Sequence, residues 1–355
     1  MNVPNDIKKI HEAFKQTGYK LYVVGGAVRD YLLGYTPKDF DLTTDANPDE
    51  VLAIAAKYGF HTTEVGKAFG VVVVNGHEIA TFRKDIGKGR RPDAVEYATI
   101  EDDVNRRDLT INALFYDIDT EQIIDLVGGV SDLENRYIRT VGVPEERFSE
   151  DHLRKLRALR FQARLDSQLD TNLVFALDND PSLDGISAER IRDEFIKTIV
   201  SAKHPIKYMT TLMSFNMTRY VFPHLHIGSA INVNDYVVFI AYLLMHNNTD
   251  TIAKVLNRLK YTKDEVKSIS FLVSMIHFTP DDILSYKKAF NQTKLTEDQV
   301  LLFGEHINTD FTKFVEFNLS VRGSDAPKDL KSSEIGQWIA KQETKKFMSD
   351  KFFRG

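Results

Sequence analysis

Residues 23–43 read VVGGAVRDYLLGYTPKDFDLT, which joins a Gly25-Gly26 turn and an Arg29-Asp30 pair to Asp39-Phe40-Asp41, ten residues beyond Arg29. Backbone N–H groups at a glycine turn that opens a helix suit an anion, because no side chain crowds them and the helix dipole favours negative charge. Arg29, on the first helical turn, would serve as a phosphate fork. A strand period of two would point Asp39 and Asp41 to one side and Phe40 and Leu42 to the other. Two carboxylates on one face repel unless a cation lies between them. Mg²⁺, an oxygen-seeking ion usually held by one or two carboxylates together with substrate phosphates, is the natural candidate. Taken singly, Gly-Gly is an ordinary turn and D-x-D an ordinary solvated strand. In this order and spacing they point to nucleotidyl transfer.

Three further constellations belong to the same chemistry. Two metal ions would need a third carboxylate, and Glu78, on a neighbouring strand, is placed to supply it, although an exposed hairpin glutamate is an equal reading. In Arg106-Arg107-Asp108-Leu109-Thr110-Ile111-Asn112, Arg107 could hold triphosphate while Asp108 and Asn112 take ribose hydroxyls. In EDHLRKLRALRF (150–161), Asp151, Arg154, Arg157 and Arg160 step by three along one helix face, with Leu153, Leu156 and Leu159 forming the apolar side. Asp151 accepts and Arg154 donates, which matches the Watson–Crick edges of cytosine and adenine. Guanine and uracil present the reverse order and would leave buried polar groups unpaired. A stretch at 186–194, ISAERIRDE, reads as scaffold: a Ser187-capped helix with an Arg190/Glu194 pair.

These groups need elements to hold them. Residues 20–24 are apolar and β-rich, and 27–33 have helical spacing closed by Gly34. Asn47-Pro48 starts a helix that runs to Gly59. Residues 71–74 and 78–82 make a hairpin around Asn75-Gly76. Residues 83–93, RKDIGKGRRPD, read as an exposed, mobile loop, and 109–116 and 122–126 return to strand or mixed apolar character. From about 145 the pattern is helical: one helix over 150–165, another over 188–199, then stretches near 205–222, 234–246, 250–259, 263–277 and 297–307. The fold class is therefore α+β, a mixed-sheet head followed by an all-helical remainder. With 355 residues the chain is long enough for several units. A 43% hydrophobic and 27% charged composition is that of an ordinary soluble protein. The most apolar run, ten residues at 236–245, falls short of a membrane span, and the first ten residues lack the apolar run of a signal peptide. Without cysteine, disulfides and thiolate zinc sites are excluded, and a cytoplasmic location is compatible. The net charge of −5 leaves nucleic-acid contact to local basic patches.

Several ordered motifs across residues 20–200 resemble the class II tRNA nucleotidyltransferases, the CCA-adding enzymes, and their relatives the bacterial poly(A) polymerases. They are GGAVRDYLLG with DFD, ATFR, RRDLTINALFYD, DLVGGVSDLENRYIRTVG, RFSEDHLRKLRALRFQARL and ISAERIRDE. The resemblance implies that Asp39 and Asp41 bind the metals, that Gly26, Arg29 and Arg107 meet the triphosphate, and that Asp108 meets the ribose. It makes Asp151 and Arg154 the amino-acid template for the incoming base, with Arg157 and Arg160 as neighbouring contacts. It also implies a catalytic head (1–140), a base-recognising neck (141–205), a body (206–270) and a tail (271–355), with tRNA held along the last two. The expected reaction transfers CMP and AMP from CTP and ATP to the tRNA 3′ end. Residues 65–70, VGKAFG, look like the CCA-adding version, whereas poly(A) polymerases tend to carry adjacent basic residues there. Residues 83–93 stand where relatives keep a loop linked to adding the terminal A. A poly(A) polymerase and a catalytically silent RNA-binding protein are the alternatives.

Overall fold

The apolar run at 20–24 forms β1 (Leu21–Val24), which ends at Gly25. The helix after it is α2 (Gly26–Leu32). The computed structural model describes residues 1–64, 66–86 and 94–349, and the chain divides into two units, Met1–Ile186 and Ser187–Gly355. That division falls inside the stretch expected to be the neck.

In the first unit α1 (Asn5–Gln16) precedes β1 and buries Ile7, Ile10 and Phe14. Then follow β2 (Asp41–Thr44), α3 (Pro48–Tyr58), β3 (Thr62–Thr63), β4 (Val71–Val74) and β5 (His77–Thr81). Asn47 and Glu50 cap α3 reciprocally, each side chain accepting from the other's backbone N–H, with Pro48 in the first turn. Next come β6 (Arg83–Ile86), β7 (Ala94–Tyr97), α4 (Ile100–Asn105), a 3₁₀ turn at Thr110–Asn112, β8 (Leu114–Asp117), β9 (Ile123–Asp125), α5 (Gly129–Glu134) and β10 (Tyr137–Ile138). The unit closes with α6 (Pro144–Glu150), α7 (Leu153–Leu165), β11 (Gln168–Leu169) and α8 (Thr171–Asn179).

Seven strands form one mixed sheet in the order β3-β4-β5-β2-β1-β8-β9, with β2 and β5 parallel and the other pairs antiparallel. The register aligns Asp41, Val24 and Phe115 in a row across β2, β1 and β8. Paired residues share a face, so Asp41 lies on the side where Tyr22, Val24, Phe82 and Phe115 build an apolar cluster. Behind the 3₁₀ turn α5 approaches very closely. A Cβ at Gly129 would stand 2.2 Å from the Thr110 carbonyl oxygen, so only hydrogen fits there.

Several expectations need correction. The strand begins at Asp41, so Asp39 and Phe40 precede it and strand alternation does not orient Asp39. Residues 83–86 are not loop: β6 pairs antiparallel with β7, because ladder hydrogen bonds need no apolar alternation. The rest of that expected loop, 87–93, and Val65 of VGKAFG lie outside the described residues. The single helix over 150–165 is two helices: α6 ends at Glu150, Asp151 is extended (φ −154°, ψ 105°), and α7 starts at Leu153. Ser187 precedes the helix beginning at Ala188, but its hydroxyl makes no capping bond. Beyond residue 145 one short strand, β11, persists and pairs parallel with β10.

The second unit is helical: α9 (Ala188–Ser201), α10 (Pro205–Ser214), α11 (Thr218–Val221), α12 (Tyr236–Leu244), α13 (Thr249–Arg258), α14 (Lys263–Ser274), α15 (Ile283–Phe290), α16 (Glu297–His306), α17 (Thr312–Glu316) and α18 (Ser332–Ser349). The apolar run at 236–245 becomes the buried α12, with Val238, Phe239, Ile240, Ala241, Leu243 and Leu244 closed off from water. Among the described residues no helix is long and apolar enough to cross a membrane.

Candidate active site

The glycine turn is held by its own backbone. Gly25 has φ +74° and ψ −121°, a conformation natural only to glycine, and its N–H donates to the Leu114 carbonyl at 2.9 Å. A Cβ there would stand 3.5 Å from the Asn112 carbonyl oxygen and 3.9 Å from an Arg107 guanidinium nitrogen. Gly26 opens α2 with the Arg29 guanidinium behind it, 3.6 Å from where its Cβ would be. Gly25, Gly26, Arg29, Arg107 and Asn112 thus meet at one place, as the sequence suggested.

The two basic residues differ in what they offer. Arg107 is held by Asp103, a fully buried carboxylate that also pairs with Arg106, and its guanidinium lies 5.1 Å over the Phe115 ring. That puts a positive charge on the same sheet face as Asp41. Arg29, expected as an open phosphate fork, is instead 3% exposed. Its Nε and one terminal nitrogen donate to Asp30, the other terminal nitrogen donates to Asn112 Oδ1, and its guanidinium lies 4.8 Å from the Phe161 ring. Burial pulls its pKa down, with Asp30 opposing the shift. Arg29 therefore lends positive potential from beneath the turn.

Asp39 and Asp41 are both exposed residues, yet the charge of Asp39 reaches Asp41. Desolvation of the Asp41 carboxyl pushes its pKa up, Arg107 pulls it down, and the charge of Asp39 pushes it up again. An oxygen-only pair in mutual repulsion suits a hard divalent cation that keeps water and phosphate as its remaining ligands. Glu78 is exposed on β5, and by register it shares the Asp41 face. It does not complete a three-ligand group, since among the described residues no cluster of three or more His, Asp or Glu could hold an ion.

Asp108 and Asn112, expected to take ribose hydroxyls, are bonded to protein. Asp108 Oδ2 accepts from Arg157 Nε at 2.6 Å, and Oδ1 accepts from the Leu109 N–H at 2.8 Å and from Asn112 Nδ2 at 3.4 Å. Burial would raise the Asp108 carboxyl, but the Arg157 charge and these hydrogen bonds outweigh it and hold it below the usual range.

On α7, Arg154 and Arg157 reach the 106–108 segment and Arg164 reaches Asp30 of α2. Arg154 donates to Glu150 and, at 2.9 Å, to the Arg106 carbonyl; Arg157 meets Asp108; the Arg160 guanidinium lies 4.4 Å from the Phe161 ring; and Arg164 meets Asp30. Asp151 is not part of this helix. It sits at the break, where its Oδ1 accepts the Leu153 N–H at 3.1 Å. Extrapolating one helical stripe through Asp151 missed that joint, and it missed Glu150, which pairs with both Arg147 and Arg154. The i,i+4 spacing of Glu150 and Arg154 was the available signal. Lys155 was also passed over. It is fully buried, and its ammonium donates to the Asp180 carbonyl and carboxylate and to the Ser182 carbonyl at 2.6–2.9 Å.

Comparison with known proteins agrees with this geometry. Residues 21–139 match the poly A polymerase head domain, and residues 177–227 match the family described as the probable RNA and SrmB-binding site of polymerase A. The CCA-adding enzyme of Ligilactobacillus salivarius is 40% identical over 230 residues, which cover 62% of this chain and 55% of that protein. The CCA-adding enzyme of Staphylococcus epidermidis is 36% identical over 283 residues, covering 76% and 68%. The chain thus spans about half to two thirds of the curated relatives it matches. The Bacillus stearothermophilus CCA-adding enzyme in complex with CTP superposes with a TM-score of 0.68 at 25% identity, over 98% of this chain and 93% of that one. A CCA-adding enzyme in an apo form shares the fold at a TM-score of 0.73 and 22% identity, over 99% and 94%. Glycine turn, paired aspartates, arginine helix and these likenesses together make the chain a member of the CCA-adding enzyme family, with a head of the poly A polymerase type.

Proposed function

We propose that this protein is a CCA-adding tRNA nucleotidyltransferase, which transfers CMP and AMP from CTP and ATP to the tRNA 3′ end without a nucleic-acid template. The observation that carries this is the gathering of the Gly25-Gly26 turn, Arg29, Arg107 and Asn112 at one place, with Asp41 on the sheet face over which the Arg107 guanidinium lies. CCA-adding enzymes are nucleotidyltransferases and in general depend on a metal ion; we take that ion to be Mg²⁺, held by Asp39 and Asp41. When bound, it lowers the barrier to ionising the attacking hydroxyl and neutralises the leaving pyrophosphate. The tRNA 3′ oxygen attacks the α-phosphorus, a new phosphodiester bond forms, and the bond to the β-phosphate oxygen breaks to release pyrophosphate. The Gly25-Gly26 backbone and Arg107 grip the triphosphate, and Arg29 adds charge from below. Asp151 and Arg154 read the base edge, with Arg157 and Arg160 beside them, while Asp108 and Asn112 border the sugar and hold that wall in place. Glu78 stays outside the inner group. Catalysis then comes mainly from alignment and electrostatics.

In this reading the head covers residues 1–140, the neck 141–205, the body 206–270 and the tail 271–355, the last two holding tRNA. The setting is the cytoplasm, where a chain free of cysteine meets no redox demand. Incorporation from CTP alone, ATP alone and both, on tRNA ending in no added residue, C or CC, tests the proposal. The expected products stop at CCA. Long A tails would make the protein a poly(A) polymerase, and no incorporation would leave it an RNA-binding protein.

A further inference from the structure

Behind the glycine turn buried and half-buried polar contacts form a continuous path with Arg29 at its hub. Along one branch Arg29 donates to Asn112 Oδ1 at 2.5 Å, Asn112 Nδ2 donates to Asp108 Oδ1 at 3.4 Å, and Asp108 Oδ2 accepts from Arg157 Nε at 2.6 Å. Along the other, Arg29 donates to Asp30 Oδ1 at 2.7 and 2.9 Å, and Asp30 Oδ2 accepts from Arg164 at 3.2 Å. Phe161 lies between the branches under the Arg29 guanidinium. Arg157, Phe161 and Arg164 are spaced i, i+4, i+7, so a single face of α7 receives everything that Arg29 sends toward it.

The Asn112 amide is the polar junction. Its oxygen faces a guanidinium and its nitrogen faces a carboxylate, so a flipped amide would set donor against donor and acceptor against acceptor. A side chain held in one orientation transmits a displacement of one partner to the other. A triphosphate drawn to the Gly25-Gly26 turn attracts the Arg29 guanidinium directly beneath it. That pull must be shared by Asn112, then by Asp108, then by Arg157 on the helix that reads the base.

We infer that Arg29, Asn112 and Asp108 form a relay coupling occupancy of the phosphate turn to the posture of the base-reading helix, with Asn112 as its positioning residue. The inference rests on the proposed nucleotide site. Its signature is that base discrimination is sharper for a nucleoside triphosphate than for the matching monophosphate. Coupling between two such sites is typically worth a factor on the order of ten.

The test measures binding of CTP, UTP, CMP and UMP to the full chain by calorimetry, with Mg²⁺ and without tRNA. In the wild type the CTP-over-UTP preference should exceed the CMP-over-UMP preference about tenfold. In Asn112→Leu, which keeps the branching at Cγ and removes both hydrogen bonds, the two preferences should become equal. Should that variant fail to fold, Asn112→Asp, which keeps the acceptor for Arg29 but repels Asp108, carries the same test. A folded variant that retains the tenfold difference overturns the relay. So does equal weakening of all four ligands with the difference intact, which would make Asn112 a direct ligand. Equal preferences in the wild type refute the relay alone. A wild type that does not distinguish cytosine from uracil at all refutes the base-reading assignment, and the relay with it.

Discussion

Replacing Asp108 by Asn removes one charge from a point where three donors converge. The carboxylate serves the Leu109 N–H and the Asn112 amide with one oxygen and Arg157 with the other. An amide has a single oxygen, so whichever way it turns, its NH₂ group faces a donor. Breaking an enclosed ion pair by removing one partner costs about 3–5 kcal/mol. Here the Asp108 side chain is 11% exposed but that of Arg157 is 35% exposed, so water screens the arginine that is left behind. A loss of about 2 kcal/mol is the resulting expectation. For a unit of this size that lowers Tm by roughly 4–8 °C. The pH dependence has a definite sign. The folded-state carboxyl lies below its ordinary value of 3.8, so as pH falls the unfolded chain takes the proton first. The contribution is complete above 3.8 and disappears as pH drops below it through the folded-state value. Urea unfolding at pH 7 and at about pH 3 measures both. A gap between wild type and variant under about 0.5 kcal/mol at neutral pH would refute the reasoning. So would a gap that stays constant in acid.

Other outcomes follow from the same geometry. Gly25→Ala has room for its methyl group but not the backbone angles, so it should cost about 1–3 kcal/mol and swing the turn's N–H groups away from phosphate; calorimetric CTP binding alongside thermal melting would reveal the change. Lys155→Met should destabilise by about 2–3 kcal/mol, because two carbonyls lose their donor while the half-exposed Asp180 carboxylate rehydrates, and denaturant titration would record it. Its C-over-U preference should be unchanged, as the ammonium is bonded to Asp180 and Ser182. Removing divalent ions with a chelator should abolish incorporation, and Mg²⁺ should restore it; Asp41→Ala should not recover at any Mg²⁺ concentration while its circular dichroism stays that of the wild type.

Local signals carried the architecture well. The Asn75-Gly76 hairpin, the Pro48 helix start and the Gly25-Gly26 junction depend on backbone preferences that a few adjacent residues determine, and each lies where its sequence predicts. The helix over 150–165 failed at Asp151 because periodicity detects amphipathic spacing and does not see a backbone break that keeps the same residues on the same side. Strand pairing of 83–86 escaped for the opposite reason, since a charged ribbon has no apolar alternation to detect. At the site, the residue types singled out Gly25, Gly26, Arg29, Arg107 and Asn112, which the fold gathers at one place. They could not separate Arg107, on the open sheet face, from Arg29, sealed behind the turn, because that distinction is made by Phe161 and Asn112, distant in sequence. Lys155 was hidden likewise, as its three acceptors come from a loop about 25 residues onward.

The close approach of Gly129 to Thr110 bears on how this protein can fail. A methyl group added there must push α5 and the 110–112 turn apart, and the turn carries Asn112 while adjoining Asp108. Misplacing positioning groups by about 1 Å can lower turnover a hundredfold. A polypeptide altered at this remote spot should therefore lose stability and, through the displaced turn, process its substrate poorly, which makes a single hydrogen atom behind the turn a condition for the placing of Asn112 and Asp108.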